Sequence, residues 1–145
     1  MSNRPVMQKY TIDQIQIGQN ATIVKTVSAE DVNLFVQITG DNNPLHTDQA
    51  YAENTVFKGL IAPGVLTAGL ISAAIAVHLP GPGSIYLEQT LRFLSPVYHG
   101  DTITATVEVL SKIIEKKRVT LRTVCTNQVG AVVVEGRAVI LLPDP

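Results

Sequence analysis

The chain has 145 residues, of which 46% are hydrophobic and 16% charged, a composition that suits one folded domain with a single core. Eleven lysines and arginines stand against 12 aspartates and glutamates, without a long block of like charge, which argues against a nucleic-acid partner. The longest uncharged apolar stretch, from Ile61 to Leu79, contains Pro63 and Gly64 and lacks basic flanks, which favours a buried helix over a membrane span. The N-terminus also lacks a continuous apolar signal region. We therefore expect residues 1–145 to form one soluble, cytoplasmic domain, with residues 1–10 loosely ordered.

The first predicted elements are a strand and a helix. Alternating side chains predict a strand from Asn20 to Val27. Ser28 and Asp31 then have the spacing of a capping box at the start of a helix. Gly40 is suited to the left-handed conformation that ends a helix. This helix would deliver the chain directly to Asp41.

The middle of the chain contains a loop segment and a second long helix. Between Asp41 and Ala62 the pattern is irregular, although Thr47 or Asp48 can cap a brief helix that runs through Glu53. From Gly64 to Leu79 the sequence predicts a helix that is apolar on nearly every face. Such a helix must be surrounded on most of its sides.

The rest of the chain is rich in predicted strands. They are separated by turns and cover Ser84 to Val97, Asp101 to Ile114, Arg118 to Asn127 and Ala131 to Leu142. Polar and apolar residues alternate from Thr102 to Val109, so this strand has one wet and one dry face. The predicted fold is α+β, with a curved antiparallel sheet of about five strands wrapped around the central buried helix.

The densest polar chemistry lies in the segment GDNNPLH, which contains Asp41, Asn43 and His46. A carboxylate and an imidazole can share the removal and return of a proton near neutral pH. These residues also occur in ordinary turns, so their spacing alone fits function and structure about equally. Gly64 opens the apolar helix and directs unpaired N–H groups forward, which gives a candidate oxyanion site. Ser72, two turns later, fits a functional role and a hydrogen bond within its own helix equally well.

The other reactive side chains support no separate site. Cys125 is the only cysteine and lies in a predicted strand, where a small core residue is expected. His78 and His99 follow a helix and a strand and are interpreted as surface or helix-end residues. No nucleophile elbow, phosphate-binding glycine loop or metal-ligand spacing occurs in the sequence.

GDNNPLH resembles the hydratase motif of the MaoC-like, (R)-specific enoyl-CoA hydratases. The segments GLIAPGVLTAGLIS and LPGPGSIYLEQTLRFLSPVYHGDTITATVEV are similar in order and spacing to the single-domain members associated with polyhydroxyalkanoate. The resemblance extends from about Ile17 to Leu142. It implies a single hot-dog domain, a homodimer and a tunnel near the subunit interface for the acyl-pantetheine arm of an acyl-CoA substrate.

The resemblance also implies a role for each candidate residue. Asp41 and His46 become the pair that activates water, and Asn43 helps to order their site. Gly64 offers its amide to the thioester oxygen, and Ser72 supports Asp41 through a hydrogen bond. The implied reaction is syn addition of water to a trans-2-enoyl-CoA, giving the (R)-3-hydroxyacyl-CoA, with no metal or other cofactor beyond CoA as the substrate carrier.

Several relatives have histidine immediately before the helix-opening glycine, where this chain has Pro63. Proline has no N–H group, so this difference affects a hydrogen bond at the edge of the predicted acyl pocket. Two alternative functions share the fold. A hot-dog thioesterase would direct water to the thioester carbonyl, and a non-catalytic module would bind the acyl thioester without turnover.

Overall fold

A computed structural model describes residues 7–145. The sequence predicts loose order for residues 1–10. Residues 1–6 lie outside the described part, and residues 7–10 form neither helix nor strand. No helix within residues 7–145 is long and apolar enough to cross a membrane. The elements in chain order are β1 Asn20–Thr26, α1 Ala29–Thr39, α2 Pro44–Thr47, α3 Gln49–Glu53, α4 Gly64–Val77, β2 Ile85–Gln89, β3 Arg92–Phe93, β4 Thr102–Ile113, β5 Arg118–Thr126 and β6 Val132–Leu141.

The strands form one antiparallel sheet in the order β1-β4-β5-β6-β2, and the short β3 also pairs with β6. Strand β4 shows the predicted alternation, because Ile103, Ala105, Val107 and Val109 are buried while the residues between them are only partly covered. The buried side chains of β4 face α4, which contacts four strands of the sheet. The core therefore lies between α4 and one face of the sheet.

The first helix has both of its predicted ends. Ser28 Oγ accepts a hydrogen bond from Asp31 N, and the Asp31 carboxylate accepts one from Ser28 N. The helix ends at Gly40, whose φ of 76° is left-handed and whose N–H bonds to the Val36 carbonyl. These two caps fix the position at which the chain reaches Asp41.

Helix α4 is less enclosed than the sequence predicts. Its buried residues are Thr67, Ile71, Ala74 and Ile75, whereas the opposite face is open and exposes 62% of Val65. The prediction that this helix is surrounded on most sides is therefore wrong for a single chain. The sheet covers one face only, and nothing within the described chain covers the other.

Candidate active site

The end of α1 positions Asp41. Thr39 Oγ1 accepts a hydrogen bond from Asp41 N at 3.1 Å, and the same hydroxyl donates to the Phe35 carbonyl. Asn42 N bonds to the Gly40 carbonyl at 2.8 Å, which closes a three-residue turn around Asp41. The carboxylate is 46% exposed. The backbone is thus held in place while the carboxylate remains accessible.

The short helix α2 carries His46. Asn43 caps this helix, because its Oδ1 accepts a hydrogen bond from Leu45 N at 3.1 Å, and Pro44 occupies the first helical position. The His46 N–H bonds to the Asn43 carbonyl at 2.9 Å. Proline is well suited to this position because its backbone angle is already helical. Asn43 therefore orders the turn that delivers His46 to the site.

The two ring nitrogens of His46 have different environments. Nδ1 lies 2.8 Å from the Ile61 carbonyl, which can only accept, so Nδ1 carries a hydrogen. In the neutral ring this leaves a lone pair on Nε2, which lies 3.9 Å from Asp41 Oδ2. Two acceptors cannot bond to each other, but one water molecule can donate a hydrogen to each. The pair is therefore arranged to polarise a water molecule.

Ile61 links the pair to the rest of the fold. Its N–H donates to the Leu45 carbonyl at 3.1 Å, and it forms a bridge with Tyr98. The next residue, Ala62, donates its N–H to the Val97 carbonyl at 2.7 Å. The carbonyl that fixes the His46 tautomer is consequently held by backbone bonds on both sides.

A cavity of about 460 Å³ lies beside this framework, within the range of small-molecule sites. Its wall is mainly apolar and includes Phe57, Ile61, Gly64, Thr67, Phe93 and Val134. Asp41 and His46 do not line this cavity in the described chain. His46 is connected to it through Ile61, whose carbonyl holds the His46 ring and whose residue forms part of the wall.

Gly64 opens α4 and lines the cavity. The N–H groups of Gly64 and Val65 have no protein acceptor among residues 7–145, and no side chain caps this helix end. Such N–H groups carry the positive end of the helix dipole. The aromatic ring of Phe93 lies where a side chain at position 64 would be, 2.6 Å from an added Cβ. Glycine thus brings the backbone close to the cavity.

Ser72 is on the open face of α4, and no hydrogen bond joins it to Asp41 within the described chain. Its predicted support of Asp41 stays a prediction. Pro63 is buried and serves as the N-cap residue of α4, where its missing N–H removes one donor from the helix entrance. The free donors at this entrance therefore begin with Gly64.

The remaining histidines and the cysteine have distinct environments. His78 is exposed at the end of α4. Burial, followed by the nearby His46, lowers the pKa of His99, and the shielded Nε2 of His99 has no hydrogen-bond partner in the described chain. His99 is thus a partly buried neighbour of His46 and not the surface or helix-end residue that was expected. Cys125 is fully buried, as predicted, and burial raises its pKa to about 12.

Sequence reasoning missed Phe93 and Thr67 as cavity residues. Phe93 reads as one more apolar strand residue, and only the pairing of β3 with β6 brings it to Gly64. Thr67 reads as part of an apolar helix. Its position three residues after Gly64 was the available signal, because residues at this spacing share one helix face.

A family model described as MaoC like domain matches residues 12–130. The chain belongs to the MaoC-like family. An (R)-specific enoyl-CoA hydratase of Rhodospirillum rubrum is 50% identical over 131 residues, covering 90% of each chain. Among solved structures, the unliganded R-hydratase PhaJ1 from Pseudomonas aeruginosa is 46% identical with a TM-score of 0.91, covering 96% of this chain and 89% of the other. The (R)-hydratase from A. caviae involved in PHA biosynthesis is 43% identical with a TM-score of 0.87, covering 89% and 98%.

These similarities confirm the predicted fold class. The MaoC-like relatives have the hot-dog fold, and this chain has the antiparallel sheet and packed central helix of that fold. The resemblance identified from GDNNPLH and its neighbouring segments is confirmed as well. The relatives extend over nearly the whole chain. The similarity therefore includes both α4 and the loop that carries Asp41 and His46, the pair called the dyad below.

Proposed function

We propose that this chain is a hydro-lyase that catalyses the reversible hydration of trans-2-enoyl-CoA to (R)-3-hydroxyacyl-CoA. Asp41 and His46 act on the water. The observation that carries the proposal is the Asp41 Oδ2 to His46 Nε2 distance of 3.9 Å, with Nδ1 already committed to the Ile61 carbonyl. The names of the relatives support the substrate class and the stereochemistry.

Each step of the proposed reaction can be assigned to a group. The dyad removes a proton from water as the water oxygen bonds to the β-carbon of the enoyl group. The electrons of the carbon–carbon double bond move toward the thioester carbonyl, whose oxygen gains negative charge. The dyad then returns a proton to the α-carbon on the same face, so one water is added in total. Gly64 N–H stabilises the charged oxygen, because a preorganised donor acts most strongly where charge develops.

The cavity supports this arrangement. Its apolar wall suits an acyl chain, and the entrance of α4 presents N–H donors to a thioester oxygen. We propose that CoA is the carrier and that no metal or other cofactor takes part. Dialysis against EDTA should leave activity unchanged, and loss of activity that added metal restores would contradict this. Comparing enoyl-CoA with the same enoyl group on an acyl carrier protein tests the carrier.

A homodimer is part of the proposal. Edge strand β2 exposes 54% of Ile85 and 41% of Leu87, and α4 has an uncovered apolar face. Exposed apolar patches and unpaired strand edges usually mark an interface. A partner would enclose α4 and could complete the wall around Asp41. Light scattering on purified protein should give twice the 15.6 kDa chain mass, and Leu87→Glu should give monomers with reduced activity. A monomeric wild-type enzyme would refute this part.

The decisive assay follows the loss of enoyl-thioester absorbance when purified protein is mixed with crotonyl-CoA. Asp41→Asn and His46→Ala should each reduce the rate on the order of a hundredfold or more, as expected for lost acid/base catalysis. His78→Ala is the matched control, because His78 is exposed at the far end of α4. No absorbance loss with short or medium chains would exclude the hydratase, and an (S) product would exclude the stereochemistry.

Thiol trapping separates the enzymatic alternative. A thioesterase would release CoA thiol at the rate of enoyl loss, whereas hydration leaves the thioester intact. Binding of crotonyl-CoA without any turnover would instead identify a non-catalytic module. A cytoplasmic location is also proposed, and cell fractionation with an antibody to the chain tests it.

A further inference from the structure

Thr67 has a buried hydroxyl group without a hydrogen-bond partner. The residue is fully buried, and its Oγ1 contacts no donor or acceptor within residues 7–145. A helical threonine commonly bonds back to the carbonyl three or four residues earlier. Here the Pro63 carbonyl receives the N–H groups of Leu66 at 3.0 Å and Thr67 at 3.4 Å instead. Leaving a buried hydroxyl unpaired is unfavourable, so its position needs an explanation.

Thr67 lies on the turn of α4 that begins at the proposed oxyanion site. Thr67 and Gly64 lie three residues apart on α4, and both line the same cavity. Side chains on a helix lean toward its N-terminus, so the Thr67 side chain covers the turn that begins at Gly64. Glycine contributes no side chain of its own there, and the ring of Phe93 occupies that space.

No group within residues 7–145 accepts a hydrogen bond from Thr67 Oγ1. Cys125 Sγ is 3.9 Å from the Thr67 carbonyl on the sheet side, and Val134 forms part of the apolar wall. On the cavity side, Phe93 packs over Gly64 and is 54% exposed. A half-exposed ring can move more readily than a core residue. The cavity is therefore the direction from which an acceptor can reach Thr67.

We propose that Thr67 Oγ1 is a second hydrogen-bond donor to the thioester carbonyl oxygen of the substrate, beside the N–H of Gly64. This assignment rests on the proposed hydratase function and adds a substrate-binding residue to it. A carbonyl oxygen can accept two hydrogen bonds, and it gains charge as water adds to the β-carbon. A second donor at that oxygen stabilises the transition state more than the bound substrate, so its removal should act mainly on kcat.

The test compares Thr67→Val, which keeps the shape and removes the hydroxyl, with Thr67→Ser, which keeps the hydroxyl and removes a methyl group. With crotonyl-CoA, Thr67→Val should lower kcat about a hundredfold, as for other lost oxyanion donors, while KM rises only about three- to tenfold. Its Tm should be unchanged or higher, because an unpaired buried hydroxyl is gone. Thr67→Ser should keep kcat within a few-fold while its Tm falls, because a buried methyl group is lost.

Two results would overturn the proposal. If Thr67→Val keeps kcat and gains Tm, the hydroxyl is only an unpaired core group. If both variants lose equal activity, the shape of Thr67 matters and its hydroxyl does not. The combination of lower kcat with an unchanged or higher Tm in Thr67→Val is not expected from a structural role.

A binding experiment separates this proposal from the hydratase proposal. Butyryl-CoA has the same thioester carbonyl but no double bond, so its affinity can be measured by calorimetry even if the wild type fails to hydrate crotonyl-CoA. Thr67→Val should bind butyryl-CoA roughly three- to tenfold more weakly than wild type, as expected for one lost hydrogen bond, and Thr67→Ser should bind it equally well. Equal affinity for wild type, Thr67→Val and Thr67→Ser would show that the Thr67 hydroxyl does not bind the thioester, whether or not the chain is a hydratase.

Discussion

Replacing Gly64 by alanine should reduce activity far more than stability. The added Cβ would lie 2.6 Å from the Phe93 ring, about 0.8 Å closer than the short limit of ordinary contact at 3.4 Å. The backbone at position 64 is helical, so alanine causes no conformational strain there. Because Phe93 is half exposed and can shift, we expect a stability loss of roughly 1 kcal/mol, at the low end for overpacking.

The effect on activity follows from the position of the same contact. Gly64 N–H and the Phe93 ring both adjoin the cavity, so relieving the collision moves the donor or the cavity wall. A displacement on the order of 1 Å in a reaction site can cost about a hundredfold in rate. We therefore expect kcat/KM for crotonyl-CoA to fall about a hundredfold in Gly64→Ala.

Gly59→Ala is the matched control for this variant. Its added Cβ would lie 3.9 Å from the Tyr98 ring, which is ordinary contact, so its activity should stay within a few-fold of wild type. A double-mutant cycle with Phe93→Ala tests the cause, because removing the ring should remove most of the effect of alanine at position 64. The steric reasoning is refuted if Gly64→Ala retains activity. It is also refuted if this substitution lowers activity by the same factor with and without the Phe93 ring.

Three further predictions concern groups outside the dyad. Cys125 is buried with a pKa raised to about 12, so a thiol reagent at pH 8 should label it only after unfolding, and rapid native labelling would contradict this burial. His99 has a folded-state pKa below 6.5, so the unfolded chain binds its proton first and the free energy of unfolding should fall as pH decreases below about 6.5. In urea unfolding at pH 7.5 and 5.5, the free energy of unfolding should fall less in His99→Gln than in wild type. An equal fall in the two proteins would show that His99 is not its source. Ser28→Ala removes the capping box of α1 and should cost about 1 kcal/mol in urea unfolding, whereas no measurable change would show that the box contributes little.

Local sequence signals predicted the elements whose ends are determined locally. Ser28, Asp31 and Gly40 define α1 through caps within a residue or two of its ends, and the structure has each of them. Asp48 caps the short α3, one of the two residues predicted for that role. The predicted alternation in β4 also agrees with its burial pattern. In these cases the relevant interactions are close in sequence or repeat with the period of the strand.

The strand predicted from Ser84 to Val97 is wrong in its continuity, because it divides into β2 and β3. The interruption occurs where Thr90 approaches Gly136, at which an added Cβ would lie 1.7 Å from the Thr90 carbonyl oxygen. Thr90 and Arg137 are also joined by two hydrogen bonds, one of them to the threonine hydroxyl. These contacts join residues more than 40 positions apart, so a local pattern of strand residues does not contain them.

The candidate site shows the same division between local signals, which are predictable from the sequence, and long-range contacts, which are not. The motif identified Asp41 and His46 as a pair, but the bond that determines the His46 tautomer comes from Ile61, 15 residues away. The contact of Phe93 with Gly64 and the missing partner of Thr67 depend on sheet pairing and burial. Sequence therefore indicated the candidate groups, while the fold was needed to show how their atoms are oriented.

The orientation of the dyad leads to a last prediction about how its two members combine. When the His46 ring carries its hydrogen on Nδ1 alone, Nε2 and Asp41 Oδ2 are both acceptors, and at 3.9 Å they can hold the same water between them. If activation of that water needs both residues, either single substitution already abolishes the activation. Adding the second substitution can then lower the rate little further. Asp41→Asn with His46→Ala should therefore lower kcat/KM no further than the more damaging single change, within a few-fold, as expected for residues that act as a unit.

The measurement is a double-mutant cycle on crotonyl-CoA hydration, with each protein checked for an unchanged Tm. Multiplicative losses would mean that the two groups contribute separately, for example by acting in different proton transfers with different water molecules. That result would contradict a shared water, although it would leave hydration itself intact. Multiplicative losses could not be explained by His46 using Nδ1 in place of Nε2 as the acceptor, because the Ile61 carbonyl fixes the hydrogen on Nδ1. The cycle thus tests the geometry of the dyad separately from the class of reaction.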